Sequence, residues 1–298
     1  MAAVFLYTSG TMLIHFTNFI QTAIMYFKKP LLFVFAFFSI AVCWAQNDSL
    51  ANKDSMISED DWLQFFEKNE KLLKPEKVIV ITKEKKTVTL QSLLKKEEFA
   101  PEALYALADL DGDGKKELVV WSFTGGAHCC DVLSFYKNIA ASKYQYAGRT
   151  FAGNSRINDS SEISYNFYEM FGYFFTCYAC AYTDTTDVAP IPVQSVLLKY
   201  KKGRLMLLPP DKELRSVIHD NLAKLSEQPY KTLPDAYSQD DGWRKEFALN
   251  LAVYFYSFGK NLAETQKLFN RYYRFPDTKK VWAEFVKTLN YVRRQNDF

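Results

Sequence analysis

Residues 104–121 read Leu104-Tyr105-Ala106-Leu107-Ala108-Asp109-Leu110-Asp111-Gly112-Asp113-Gly114-Lys115-Lys116-Glu117-Leu118-Val119-Val120-Trp121, an acidic, glycine-bearing turn between two short apolar runs. Carboxylates at alternate positions of a tight turn converge on one point, as a hard cation with about six to eight oxygen ligands requires. Asp109, Asp111, Asp113 and Glu117 are the expected side-chain ligands for calcium, and Lys115 is expected to add its carbonyl. Gly112 and Gly114 open backbone conformations that other residues resist. An EF-hand would set a bidentate Glu at the twelfth loop position between two helices. Here the twelfth residue is Val120, and both flanks read as strands. The unit is expected to be a β-hairpin around a cation.

Working outward, Leu104 to Leu208 is dominated by short apolar runs: Leu104 to Ala108, Leu118 to Phe123, Val132 to Tyr136, Tyr144 to Phe151, Ile163 to Tyr168, Tyr173 to Tyr182, Val193 to Tyr200 and, after the Lys202-Gly203 turn, Arg204 to Leu208. Turn signals at such spacing argue an antiparallel, blade-like or sandwich sheet. Upstream, Ser58 with Asp61 resembles a capping box, and Trp62, Phe65, Phe66, Leu72 and Leu73 recur at helical spacing until Pro75. Lys77 to Lys83 and Thr87 to Leu90 flank the polar segment Glu84 to Lys86 as a hairpin.

After Pro209 and Pro210 the period switches. Leu214, Val217, Ile218, Leu222 and Leu225 fall on one helical face, and a Pro-containing linker from Gln228 to Tyr237 leads to three more helices. Trp243, Phe247, Leu251, Tyr254, Phe255 and Phe258 form a face ending at Gly259; Asn261 with Glu264 caps the next helix, and Asp277 starts the last. The pair around Gly259 looks like one tetratricopeptide-type hairpin, but an array needs at least about three units. It is read as a cap packed on the sheet. The expected fold class is α+β: a small antiparallel β-sheet of one or two propeller-blade-like units, with an N-terminal helix and a C-terminal helical cap.

The acidic loop resembles that of FG-GAP or VCBS-type repeats, the blade units of integrin-like β-propellers, in which Asp-x-Asp-Gly-Asp-Gly-x-x-Asp binds calcium between two strands. The resemblance covers Leu104 to Val120, with Glu117 replacing the usual last Asp. It implies a blade-like hairpin with calcium as cofactor. An offset of 45 residues aligns the loop with Asn154-Ser155-Arg156-Ile157-Asn158-Asp159-Ser160-Ser161-Glu162, a candidate second blade. Arg156 stands where Asp111 would be, so that copy is not expected to hold calcium. The string Gly125-Gly126-Ala127-His128-Cys129-Cys130 after such a loop resembles a group of exported bacterial proteins, which implies the fold and the compartment and no reaction.

Export is also read from the other end of the chain. Lys28 and Lys29 precede an unbroken apolar run, Leu31 to Val42, and Cys43-Trp44-Ala45 places small residues where a signal peptidase reads. Residues 25–45 are therefore expected to be a signal peptide with Gln46 the first mature residue. The run falls short of the roughly 20 apolar residues of a membrane span. Residues 1–24 lack acids and basic clusters and fit neither a transit peptide nor a folded element, so Met25 is the expected start. Ile40-Ala41-Val42-Cys43 faintly resembles a lipobox, but Val42 occupies a position that takes Gly or Ala, so lipid anchoring through Cys43 is the weaker reading. The expected organisation is then a linker at 46–57, a β-rich domain at 58–208 and a helical region at 209–298. Cleavage removes Lys28 and Lys29 and no acid, lowering a formal charge of +3 by two. A near-neutral chain gives no electrostatic case for nucleic acid.

Besides Cys43 the chain carries Cys129, Cys130, Cys177 and Cys180. Adjacent cysteines on a strand point to opposite faces, as do residues three apart, so cross-bridges between Cys129-Cys130 and Cys177-Cys180 are expected. The alternative is a soft-metal site for zinc or copper built from His128, Cys129, Cys130, Cys177 and Cys180. Thiols in an exported protein normally oxidise, which favours the bridges. No Gly-x-Ser-x-Gly elbow, phosphate loop or His-Glu-x-x-His occurs. A glycosidase-type carboxylate pair meets only in space and is not legible here. The expected function is a calcium-stabilised, exported binding protein without identifiable catalysis, whose aromatic residues, 16% of the chain, serve its core and a protein or glycan partner. A metal- or thiol-dependent exported enzyme is the alternative.

Overall fold

The acidic turn joins β3 (Leu104–Ala108) to β4 (Glu117–Phe123), paired antiparallel from Leu104 with Trp121 to Ala108 with Glu117. The structure, a computed structural model, describes residues 57–69, 74–95, 103–125, 130–180, 182, 192–230, 232 and 240–298. The readings that fall on residues 1–56, Leu72, Leu73, His128 and Cys129 lie outside them. All described residues belong to one compact unit, Ala51–Phe298.

Strands β5 (Asp131–Ala140) and β6 (Lys143–Phe151) continue the meander. Alternate side chains enter two cores: Ala106, Val119, Leu133 and Phe135 face the larger, while Leu107, Leu118, Val120 and Tyr136 face the smaller. The expected hairpin forms as β1 (Ile79–Ile81) and β2 (Thr87–Thr89). Strand β1 then adds to β6 in parallel, Ile79 opposite Lys143, giving the order β2-β1-β6-β5-β4-β3. This parallel pair departs from a purely antiparallel sheet. It satisfies the open edge of β6 and lets Val78, Val80 and Leu90 cover the smaller core, with helix α2 (Leu90–Leu94) behind them.

A second sheet contains β7 (Arg156–Ile157), β8 (Glu162–Asn166), β9 (Ser195–Lys201) and β10 (Arg204–Leu207), in the order β10-β9-β8-β7. The segment aligned at the 45-residue offset does form a hairpin, but its register differs from the first. The offset would set Gly153 opposite Glu162, whereas Ile157 pairs with Ile163 and residues 158–162 make a tighter turn.

The expected strand from Tyr173 to Tyr182 does not form. Asn166 ends β8 by accepting the Tyr168 N–H on its Oδ1 at 2.8 Å, and the one-turn helix α3 (Tyr168–Phe171) follows. Phe171 and Phe174 both reach the main core, and Phe175 takes a left-handed φ of 55°. These aromatics sit at turn spacing, which an alternating strand cannot satisfy.

At the N-terminal side, α1 (Glu59–Lys68) starts where expected: Ser58 Oγ accepts the Asp61 N–H at 3.1 Å, and Trp62, Phe65 and Phe66 are buried. The C-terminal helices are α4 (Leu214–Ser226), α5 (Trp243–Ser257), α6 (Leu262–Tyr272) and α7 (Thr278–Gln295). Asn261 Oδ1 caps α6 through the Ala263 and Glu264 N–H groups. Helix α5 is buried on nearly every side, as a core helix is. One core runs from Trp62 of α1 through both sheets to Val292 of α7, so the architecture is α+β. Among the described residues, no helix is long and apolar enough to cross a membrane.

Candidate metal centre

The loop folds around Asp109. Its Oδ1 accepts from the N–H groups of Gly112 (2.8 Å) and Asp113 (3.1 Å), and its Oδ2 from Gly114 (2.9 Å). Gly112 and Gly114 adopt φ of 75° and 80°, the left-handed region that explains both glycines. Asp109, Asp111 and Glu117 each offer an oxygen within 4.8 Å of the others. Asp113 stands outside this group, its Oδ1 accepting the Lys115 N–H at 2.8 Å, which is the contact the structure gives Lys115 in the loop.

Glu117 opens β4 with its side chain on the main-core side and is 1% exposed. Its Oε2 accepts the Leu110 N–H at 3.0 Å. Burial pushes its carboxyl up to about 7, against that hydrogen bond and with the charges of Asp111, Asp113 and Asp109 adding to the rise. Asp111 faces the second sheet: its Oδ2 accepts the Lys202 N–H from the β9–β10 turn at 2.8 Å. Among the described residues its Oδ1 is buried with no hydrogen-bond partner, and so is the hydroxyl of Tyr200 on β9. Burial, then the charges of Glu117, Asp111 and Asp113, raises the Tyr200 phenol above its ordinary value. Three convergent carboxylates and one orphaned oxygen, with no sulfur or nitrogen donor grouped with them among the described residues, make an arrangement that fits a hard, oxygen-seeking cation.

The cysteines are arranged otherwise than expected. Cys177 is bridged to Cys180, with Cα atoms 5.1 Å apart. Cys130 is also disulfide-bonded, and its partner is neither of these. The expected cross-bridges fail because residues 172–180 form turns, and in a turn residues three apart can face each other. The soft-metal alternative meets the same obstacle, since Cys130, Cys177 and Cys180 are disulfide sulfurs and not thiolates. His219, given no role by the sequence, bonds Tyr272 through Nδ1 at 2.9 Å.

A second polar centre escaped the sequence. Lys245, on buried α5 and 2% exposed, donates to Tyr168 Oη (3.0 Å) and to the carbonyls of Gly172 (3.3 Å), Cys177 (3.3 Å) and Tyr178 (3.0 Å). It thereby ties the disulfide turn to the helical core. Burial brings its ammonium down to about 8. Separately, Asp131 accepts from Gly153 N–H (3.1 Å) and Ser155 N–H (2.6 Å), and burial together with Asp131 pushes Glu169 up to about 7. The available signal for Lys245 was the charged triplet Arg244-Lys245-Glu246 in an otherwise apolar helix.

Compared with protein families, curated proteins and solved structures, the chain matches none. The likeness to FG-GAP or VCBS loops therefore rests on residues 104–120 alone.

Proposed function

We propose that this chain is an exported, calcium-stabilised binding protein of the cell envelope or extracellular space that binds a protein or glycan partner, without identifiable catalytic activity. The observation that carries it is the convergence of Asp109, Asp111 and Glu117 oxygens within 4.8 Å on a strand–loop–strand hairpin. Calcium suits such a set because it takes carboxylate oxygens in flexible geometry, and it is abundant outside the cell. Supporting export are the signal-like segment at 25–45 and the bridged Cys177 and Cys180, a state that persists in oxidising compartments. Asp109, Asp111 and Glu117 would hold the ion, which supplies charge neutralisation to a hairpin otherwise carrying clustered acids.

A binding role finds support in the aromatic row Tyr168, Tyr178 and Tyr173. Their rings lie 5.4 and 5.6 Å apart, and the outermost, Tyr173, is 63% exposed. Rings presented this way offer apolar contact area with a polar handle, which suits glycans and peptide side chains.

Calorimetric titration of the full chain with calcium tests the metal half, with Asp111→Ala as control. Heat of binding in the wild type and none in the variant is the expected result; no heat at millimolar calcium ends the proposal.

A further inference from the structure

Two orphaned buried oxygens flank the acidic loop, and they come from different sheets: Asp111 Oδ1 from the β3–β4 loop and the Tyr200 hydroxyl from β9. Tyr200 is 0% exposed, and its ring stacks on Phe135 of β5 at 6.0 Å, so it lies over the sheet that carries Glu117. Its hydroxyl extends past the ring to the Lys202-Gly203 turn, where a Cβ added at Gly203 would sit 3.9 Å from it. The same turn donates the Lys202 N–H to Asp111 Oδ2. The phenol and the acidic group therefore meet at one turn. Phe would fill the ring's space without burying an unpaired hydroxyl, so the hydroxyl calls for a partner that the described residues do not provide.

We propose that the cation site spans both sheets, with the Tyr200 hydroxyl and Asp111 Oδ1 facing a bound divalent cation, so that loading clamps the β9–β10 turn onto the β3–β4 loop. This rests on the calcium reading of the loop and adds a cation-facing residue to it. A neutral phenol is both donor and acceptor, so it can present its oxygen toward the cation while its hydrogen satisfies a neighbouring carboxylate. The cation then does more than stabilise a hairpin: it fixes how the second sheet sits on the first.

The test is Tyr200→Phe in the full chain, with calcium alone as the probe. The variant is expected to bind calcium about tenfold more weakly, the size of one polar contact to a charged centre. Its cation-free melting temperature should equal or exceed that of the wild type, because an unpaired hydroxyl has been removed. A purely structural Tyr200 would instead lower the melting temperature with and without calcium and leave affinity unchanged. If the variant does not fold, hydrogen exchange on the wild type decides. Calcium should slow exchange at Lys202 and Gly203 together with residues 109–117, and slowing confined to the loop overturns the clamp. Wild-type binding abolished by Asp111→Ala but untouched by Tyr200→Phe sinks this inference and leaves the calcium reading standing. Absence of wild-type binding removes both.

Discussion

Replacing Glu117 by Gln probes the centre with opposite signs in its two states. Glu117 is buried, and burial with the neighbouring carboxylates holds its carboxyl at about 7, so above neutral pH the cation-free protein carries a poorly solvated charge. Gln nearly preserves the shape, keeps an oxygen for the Leu110 N–H and removes the charge. The cation-free variant should melt no lower than the wild type at pH 8. Extracellular calcium modules bind with Kd of about 0.1–1 mM, so about 10 mM calcium adds about 1.4–2.7 kcal/mol to the wild type. In a domain of this size that raises Tm by about 3–10 °C. Loss of one of three grouped carboxylates should weaken binding by about 100-fold or more. The variant's gain then falls below about 0.5 kcal/mol and its shift below about 2 °C. Differential scanning calorimetry in chelator and in calcium reads both quantities. Equal calcium shifts in the two proteins, or a cation-free variant that melts well below the wild type, would refute the reasoning.

Lys245→Met should cost about 1–3 kcal/mol in urea unfolding, because the Gly172 carbonyl loses its donor while Cys177 keeps the Cys180 N–H and Tyr178 the Tyr168 hydroxyl. A loss under about 1 kcal/mol would show that water replaces the ammonium. Non-reducing peptide mapping should recover Cys177 joined to Cys180. Opening that short bridge with Cys180→Ser should cost about 2 kcal/mol on the chain-entropy account, and a peptide joining Cys130 to Cys177 would contradict the structure. Burial pushes the Glu246 carboxyl up to about 7 from 4.5, against its Asn250 hydrogen bond and the Lys245 charge. The folded state therefore keeps its proton longer than the unfolded chain. Its contribution is fully present below about pH 4.5 and is lost as pH rises through about 7. Glu246→Gln should gain on the wild type between pH 5 and pH 8 in parallel urea titrations; a constant difference would mean that the carboxyl titrates normally.

Elements governed by local chemistry were legible. Ser58 and Asn261 cap helices because their side-chain oxygens reach N–H groups within the next turn, and β3 and β4 read as near-continuous apolar runs because residues on both faces are buried. The failures share one cause. Tyr173-Phe174-Phe175 has strand-like composition, but Asn166 and the Lys245 ammonium, the latter 67 to 73 positions away from its carbonyl partners, hold the segment in turns. The parallel docking of β1 on β6 likewise follows from an edge needing a partner, which no local period records.

The centre divides along the same line. Asp109, Asp111 and Glu117 were legible because one loop supplies them all. Spacing groups Asp113 with them, yet its carboxylate turns to the Lys115 N–H two residues on, a local bond that competes with convergence. Lys202-Gly203 reads as an ordinary hairpin turn, and Tyr200 as one more apolar residue of a buried strand. Their relation to the loop exists only because Lys202 and Asp111 meet across 91 positions. If the orphaned oxygens on either side of that contact mark the cation, a loop motif alone cannot set its affinity. The same acidic turn on an isolated hairpin would bind more weakly, because the donors that complete the centre belong to the packing of two sheets.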